Sequence, residues 1–214
     1  MSKVFTEITR LSDKDCFYIV ERHKTEFTYP LHRHKEFELN FIQNGKGVRR
    51  IVGDSVEEIG DYELVLVGGE ELEHVWEQGS CQSKDIREIT IQFSGDIFGN
   101  ELLSKNQFAS IQRMLRRAEH GLSFPLSTIM KVYSILDDIA HDKERFVQFL
   151  KSLYILYELS VSEDARVLAS SSFAHSPRKV ESRRVEKVRQ YIDEHYSDQL
   201  KLADLAALVG MNPV

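Results

Sequence analysis

Residues 30–45 read PLHRHKEFELNFIQNG, and this stretch decides the fold of the N-terminal half. Polar side chains with metal-binding or hydrogen-bonding groups occupy every second position: His32, His34, Glu36 and Glu38. Phe37, Leu39 and Phe41 are apolar and occupy the alternate positions at the end of the stretch. Because successive side chains of a strand point to opposite faces, we predict a strand with one polar and one apolar face, both of them covered.

Other short strand-like segments lie on either side of this stretch, between residues 15 and 93. They are rich in Ile, Val, Phe and Tyr and are separated by turns that contain glycine. The dipeptide Asn44-Gly45 is a strong hairpin signal because both residues tolerate a positive φ. The predicted strands are residues 16–21, 36–43, 47–52, 62–67, 74–77 and 86–93. Many short strands at this spacing indicate an antiparallel barrel or sandwich.

The chain changes character at about residue 100, where apolar residues begin to recur at helical spacing. Residues 129–140 and 146–157 predict two neighbouring antiparallel helices, because only the short polar segment 141–144 separates them. A further helix is predicted over residues 105–119. We interpret the broad apolar stripe of the 146–157 helix mainly as a surface that faces the protein core.

The composition is that of an ordinary globular protein: 214 residues, 42% hydrophobic and 29% charged. Residues 1–100 are acidic, with 12 Lys and Arg against 19 Asp and Glu, so charge alone does not indicate nucleic-acid binding. The sequence has no apolar signal segment near its start and no stretch long enough to span a membrane. The two cysteines are far apart and form no CxxC motif. Together these features predict a cytoplasmic protein with no membrane partner.

The polar face of the predicted strand is chemically suited to a divalent metal. His32, His34 and Glu38 come from this strand, and His74 begins a later strand with Trp76 on the same face. Imidazole suits Zn, Fe, Ni or Cu, and two or three histidines with one carboxylate are typical of catalytic metal sites. Three interpretations stay open: a catalytic metal centre, a metal-free effector pocket, and histidines whose hydrogen bonds are satisfied within the strands.

The spacing His32-x-His34-x3-Glu38 resembles the first motif of the cupin superfamily, and the segment that ends at His74 resembles a degraded second motif. This second segment departs from the family pattern in its spacing and lacks the asparagine that usually follows its histidine. The resemblance covers residues 27–93. It implies a small β-barrel in which these three residues and His74 face inward.

The C-terminal segment 185–213 reads VEKVRQYIDEHYSDQLKLADLAALVGMNP. Its apolar residues recur at helical spacing, a glycine follows where a positive φ is wanted, and an asparagine can cap a following helix. The scaffold of this predicted helix-turn-helix consists of Leu202, Leu205, Ala206, Val209, Gly210 and Asn212. A small residue where two helices cross and a glycine in the turn are typical of this motif, and an ordinary αα-hairpin is the alternative.

The whole C-terminal string resembles the first helix-turn-helix of the AraC/XylS family of bacterial transcription regulators. The family also has this order of a cupin-like front, a helical middle and a helix-turn-helix. The resemblance implies an α+β protein with an N-terminal cupin-like antiparallel β-barrel at residues 1–98. An α-helical linker and dimerisation region follows at residues 99–175, and a linker with an incomplete helix-turn-helix at residues 176–214. We expect the family's recognition helix and second helix-turn-helix to lie beyond residue 214.

The resemblance therefore implies a ligand-responsive, DNA-binding transcription regulator that is not an enzyme. Its expected partners are a small-molecule effector, promoter DNA, RNA polymerase and a second copy of the chain, with the 146–157 helix as a dimer interface. Effector binding must favour one domain arrangement over another, and we expect it to alter the packing of residues 1–10 or of the middle helices.

We predict that the effector pocket is lined by His32, His34, Glu38, His74 and Trp76. Hydrogen-bonding side chains beside an indole face suit a hydroxylated ligand such as a sugar. The alternative is a divalent metal, Zn, Ni or Fe, held by His32, His34, Glu38 and His74. A metal there would make the protein a cupin metalloenzyme or a metal-sensing regulator.

Overall fold

The computed structural model describes residues 4–170 together with residues 188, 191, 192, 195 and 200–208. The chain divides into two compact units, Met1–Ser171 and Ser172–Val214. The first unit contains all the described strands and most of the described helices. The domain boundaries after residues 98 and 175 stay predictions.

The strands of residues 4–170 form two sheets. The first sheet contains, in spatial order, β1 (Phe5–Thr6), β3 (His32–Arg33), β8 (His74–Glu77), β5 (Arg49–Val52) and β6 (Ser55–Glu58). The second sheet contains β11 (Arg166–Val167), β10 (Leu122–Ser123), β7 (Tyr62–Val67), β4 (Phe37–Gln43), β9 (Ile86–Phe93) and β2 (Tyr18–Lys24). Every described pairing is antiparallel except that of β1 with β3. The predicted antiparallel architecture is confirmed, as two sheets and not as one closed barrel.

The helices of the first unit follow β1–β9 in sequence. They are α1 (Gly99–Leu103), α2 (Ala109–Ala118), α3 (Leu126–Ile139) and α4 (Arg145–Ser160), with a 3-10 turn at Asn106–Phe108 before α2. The two-residue strands β10 and β11 are placed after α2 and after α4, and this arrangement confirms the predicted α+β class. α3 and α4 confirm the two predicted neighbouring helices. The helix predicted over residues 105–119 is shorter, because its first turn is the 3-10 segment. Among the described residues, no helix is long and apolar enough to cross a membrane.

The hydrophobic core lies between one face of the second sheet and the helices. Its sheet side consists of Leu39, Phe41, Leu64, Leu66, Ile89, Ile91 and Phe93. Its helix side includes Met114, Leu115, Val132, Leu136, Ile155, Leu156 and Leu159. Phe37 is half-buried and stacks on Phe93 with ring centroids 5.4 Å apart. The prediction that the apolar face of β4 is covered is therefore confirmed.

The opposite face of the second sheet is buried as well, and it carries six polar side chains among apolar ones. Its polar residues alternate with those of the core and are at most 6% exposed: Glu38, Asn40, Glu63, Glu88, Thr90 and Gln92. Several of these side chains contact the first sheet, so the two sheets enclose a polar interior. Burying polar groups costs free energy unless they find partners, and this interior contains the predicted site.

In the second unit, residues 188, 191, 192 and 195 are helical, and α5 spans Leu202–Leu208. Leu202, Leu205 and Ala206 of the predicted helix-turn-helix scaffold lie on α5. Leu202 is 67% exposed, and the other two are half-buried. Val209, Gly210 and Asn212 lie outside the described residues. The helix-turn-helix therefore stays a prediction.

Candidate functional site

Three buried histidines meet in the polar interior between the sheets. His32 on β3 lies directly opposite His74 on β8 in the register of the first sheet, and His34 follows His32 by two residues. The ring centroids of His32 and His74 are 4.3 Å apart, and those of His34 and His74 are 4.8 Å apart. A ring nitrogen of each lies within 4.8 Å of a ring nitrogen of the other two. We call these three residues the histidine centre.

Each ring of the histidine centre has its Nδ1 fixed by the backbone. The acceptors, each 2.9 Å from the Nδ1, are the carbonyl oxygens of Pro30, Glu36 and Leu72. A carbonyl oxygen can only accept, so Nδ1 bears the hydrogen and Nε2 of the neutral ring bears a free lone pair. The Nε2 atoms of His34 and His74 are buried and have no hydrogen-bond partner within the described parts of the chain.

Glu38 supplies a carboxylate to the same interior from β4 in the second sheet. Its Oε2 lies 3.4 Å from His34 Nε2, an ion-pair contact without the geometry of a hydrogen bond. Gln92 on β9, paired with Glu38 across the sheet, donates from Nε2 to the same oxygen at 2.8 Å. Glu38 is thus oriented by one neighbour and directed at the histidine centre.

Burial and charge set the protonation of these groups in opposite directions. Burial lowers the pKa of His74 to about 3 and also lowers the pKa of His32, so both rings are neutral near pH 7. Burial alone would raise the pKa of Glu38, but the adjoining His34 holds it at about 2. Burial likewise lowers the pKa of His34, and the Glu38 carboxylate raises it above its ordinary value. The site therefore combines two neutral imidazoles, His32 and His74, with an ion-pair contact between His34 and the ionised Glu38 carboxylate.

This donor set fits a divalent metal. Two nitrogens that each bind a zinc ion at about 2.0–2.1 Å lie roughly 3.4 Å apart in a tetrahedral site, which the separation within 4.8 Å allows. Metal-binding histidines commonly donate their second N–H to a backbone carbonyl, which fixes the tautomer as it does here. Buried Nε2 atoms without partners are costly, and coordination would satisfy them. His32, His34, His74 and Glu38 are the residues that would hold the ion.

Trp76, the fifth predicted pocket residue, lies beside the histidine centre but is already engaged. Its ring centroid is 6.1 Å from that of His74, and its Nε1 donates to Glu63 at 2.8 Å. Glu63 also pairs with Arg50, which is 2% exposed. Burial raises the pKa of Glu63 despite the charge of Arg50. Trp76 thus belongs to a buried polar network next to the centre.

The structure places Glu36 differently from the sequence analysis. The chain bends at residues 35–36 and β4 begins at Phe37, so the four alternating polar residues do not share one continuous strand. Glu36 is half-buried and contributes its carbonyl oxygen to His34. The bend allows His34, which directly follows β3, to approach Glu38 on β4.

Several polar residues of the interior were missed by sequence reasoning. Asn40, Glu88, Thr90 and Gln92 are all buried on the inner face of the second sheet. The signal was present, because polar residues alternate with isoleucines along β9 in the same way as along β4. The cross-strand register that sets Gln92 against Glu38 could not be read from either strand alone.

No protein-family model matches the chain, and no curated protein matches it. Among solved structures, the chain is similar to wild-type ToxT from Vibrio cholerae strain SCE256 with bound unsaturated fatty acid. The identity is 14% and the TM-score 0.45, over 95% of this chain and 72% of that chain. A second ToxT structure from Vibrio cholerae, of the P21 form, gives 12% identity and a TM-score of 0.45 over 92% and 72%. ToxT from Vibrio cholerae O395 bound to (E)-4-(8-methylnaphthalen-1-yl)but-3-enoic acid gives 11% and 0.44 over 92% and 73%.

Proposed function

We propose that this chain is the sensing portion of a DNA-binding transcription regulator, and that its signal is read at the histidine centre through a bound divalent metal. One observation carries the choice of metal: three buried imidazoles have their Nδ1 atoms held by carbonyls while their Nε2 atoms converge beside the Glu38 carboxylate. Neutral rings with free Nε2 lone pairs are metal ligands, and the ionised carboxylate offsets part of the ion's charge.

The regulator part of the proposal is supported by the resemblance of residues 185–213 to the first helix-turn-helix of the AraC/XylS family. Such a protein would act in the cytoplasm on promoter DNA, with RNA polymerase as a partner, and would not be an enzyme. A homodimer would use the apolar side chains that α4 leaves exposed: Phe146, Leu150, Tyr154 and Tyr157. Two DNA-reading modules in one dimer bind two half-sites with greater affinity than one.

The position of the donors explains how occupancy at the centre could reach the helices. His32 and His74 lie on strands of the first sheet and His34 directly follows β3, whereas Glu38 lies on β4 of the second sheet. Coordination by all four residues would hold the two sheets at one spacing. The outer face of the second sheet packs on α3 and α4, and α4 also carries the proposed dimer surface. A change in the spacing of the sheets would therefore act on the helix that forms this surface. The signal shifts the domain arrangement only if the metal binds one arrangement more tightly.

A metal-free pocket for a small hydroxylated molecule, such as a sugar, is the second candidate. It is favoured by two further buried polar atoms that have no hydrogen-bond partner in the described part of the chain, Asn40 Oδ1 and Arg50 Nε. This effector would use the same five pocket residues, with Trp76 as an apolar wall. A cupin metalloenzyme is distinguished from both by substrate turnover.

Titration of the purified chain with Zn²⁺ and with Ni²⁺ tests the proposal. We expect one ion per chain by isothermal titration calorimetry, and a loss of affinity of at least about 100-fold in His74→Gln. His141→Gln is the matched control, because the His141 side chain is 68% exposed and lies outside the centre. Equal affinity of the wild type and the His74 variant would overturn the metal site. Sugar binding that persists in the presence of a chelator would favour the second candidate.

A further inference from the structure

A carboxylate from the N-terminal arm, residues 4–10, reaches the histidine centre. In this arm the Phe5 and Ile8 side chains are 49% and 93% exposed. The Glu7 side chain, by contrast, is 22% exposed and turns inward. Its Oε2 lies 3.5 Å from His32 Nε2, and ligand atoms of Glu7, His34 and Glu38 all lie within 4.8 Å of one another.

The arm is held in place by its backbone as well as by this side chain. β1 pairs in parallel with β3, and the amides of Phe5 and Glu7 donate to the carbonyl oxygens of Leu31 and Arg33 at 3.0 and 2.9 Å. This two-residue strand is short, and it lies at the edge of the first sheet. Few contacts hold such a strand, so its stability is sensitive to one additional bond.

The charges around Glu7 favour a bound cation at the centre. Two carboxylates so close together repel each other, and that repulsion is relieved by a shared cation. Glu7 and Glu38 together would balance the two positive charges of a divalent ion bound to neutral imidazoles. A mixed set of imidazole and carboxylate donors is suited to the same first-row metals as the histidine centre alone.

We propose that Glu7 is an additional ligand of the metal at the histidine centre, so that metal binding fastens β1 to the edge of the first sheet. This inference rests on the proposed metal site, and it adds a regulatory consequence to it. Occupancy of the centre would be converted into order of the N-terminal arm, because one ligand belongs to the arm and the other four to the body of the unit.

Metal affinity and amide hydrogen exchange of the purified chain test this inference, with Zn²⁺ as the probe. In the wild type, we expect Zn²⁺ to slow exchange of the Phe5 and Glu7 amides at least about tenfold, because opening of β1 would then require loss of a ligand. Glu7→Gln should bind Zn²⁺ at least about tenfold more weakly, and Zn²⁺ should no longer protect the two β1 amides. Glu26→Gln is the matched control, since it removes the same charge from an exposed position.

The outcomes separate this inference from the proposed function. A wild type that binds no Zn²⁺ refutes both. A wild type that binds Zn²⁺, with Glu7→Gln equal to it in affinity and in protection of β1, refutes the role of Glu7 and leaves the histidine centre standing. An equal loss of affinity in Glu26→Gln would show a general effect of charge and would also overturn the inference.

Discussion

Replacement of Arg50 by methionine should destabilise the first compact unit much more than the same change at the preceding residue, Arg49. The Arg50 side chain is 2% exposed and pairs with Glu63, whose side chain is 5% exposed. Arg50→Met leaves the Glu63 carboxylate buried, with a hydrogen bond from the Trp76 N–H. Loss of one partner from a buried ion pair typically costs about 3–5 kcal/mol, because the other charge stays uncompensated.

Arg49 offers a matched control on the same strand. Its side chain is 51% exposed and pairs with Glu77, which is 39% exposed. An exposed pair of this kind contributes about 0–1 kcal/mol. Arg49→Met makes the same change in charge and in volume as Arg50→Met, so the two variants differ in burial and in the second ion pair, which Arg50 makes with Glu57.

Differential scanning calorimetry provides the measurement. A change of 1 kcal/mol shifts the Tm of a domain of this size by about 2–4 °C, so we expect a fall of about 6–20 °C for Arg50→Met and at most about 4 °C for Arg49→Met. The double variant Arg50→Met, Glu63→Gln should recover much of the loss, because no uncompensated charge stays buried. Similar Tm values for the two single variants, or no recovery in the double variant, would refute this reasoning.

Three further predictions concern other parts of the first unit. Arginine neighbours hold the pKa of Glu57 at about 2, below its ordinary 4.5. The contribution of the ionised Glu57 to stability is therefore present above pH 4.5 and is lost as the pH falls toward 2. Because the side chain is 39% exposed, this contribution to the free energy of unfolding is at most about 1 kcal/mol. In urea unfolding, the free energy of unfolding of Glu57→Gln should therefore fall less between pH 4.5 and 2 than that of the wild type. Leu150→Glu should shift the proposed dimer to monomer in light scattering, whereas Lys131→Glu should not; a monomeric wild type would contradict this surface. Gly68→Ala places a Cβ 2.2 Å from an aromatic ring and should cost about 1–3 kcal/mol in urea unfolding, whereas Gly60→Ala meets nothing within 4 Å and should cost less.

The parts of the fold with strong local patterning could be predicted from the sequence. β7, β8 and β9 begin and end at the residues predicted for them, because alternating apolar residues are bounded by glycine and polar turns. The approach of His32 and His74 to each other followed from the alternation and the cupin-like motifs. The structure adds that these two residues are paired directly across β3 and β8.

The parts that depend on pairing could not be predicted. β10 and β11 are each two residues long and lie within the helical half, where no periodicity in the sequence marks them. They are strands because β10 pairs with β11 and with β7. The inward turn of Glu7 depends likewise on the pairing of β1 with β3. A two-residue strand carries too little pattern to be recognised, and its orientation is decided by tertiary contacts.

X-ray absorption at the zinc edge, on the chain loaded with one equivalent of Zn²⁺, tests the central claim most directly. We expect a first shell with about three imidazole nitrogens at roughly 2.0–2.1 Å, marked by the multiple scattering of histidine rings, together with carboxylate oxygen. The imidazole scattering should decrease in His74→Gln and stay unchanged in His141→Gln. A first shell of oxygen alone, or an imidazole signal that His74→Gln leaves unchanged, would contradict the proposal that the histidine centre is the metal site.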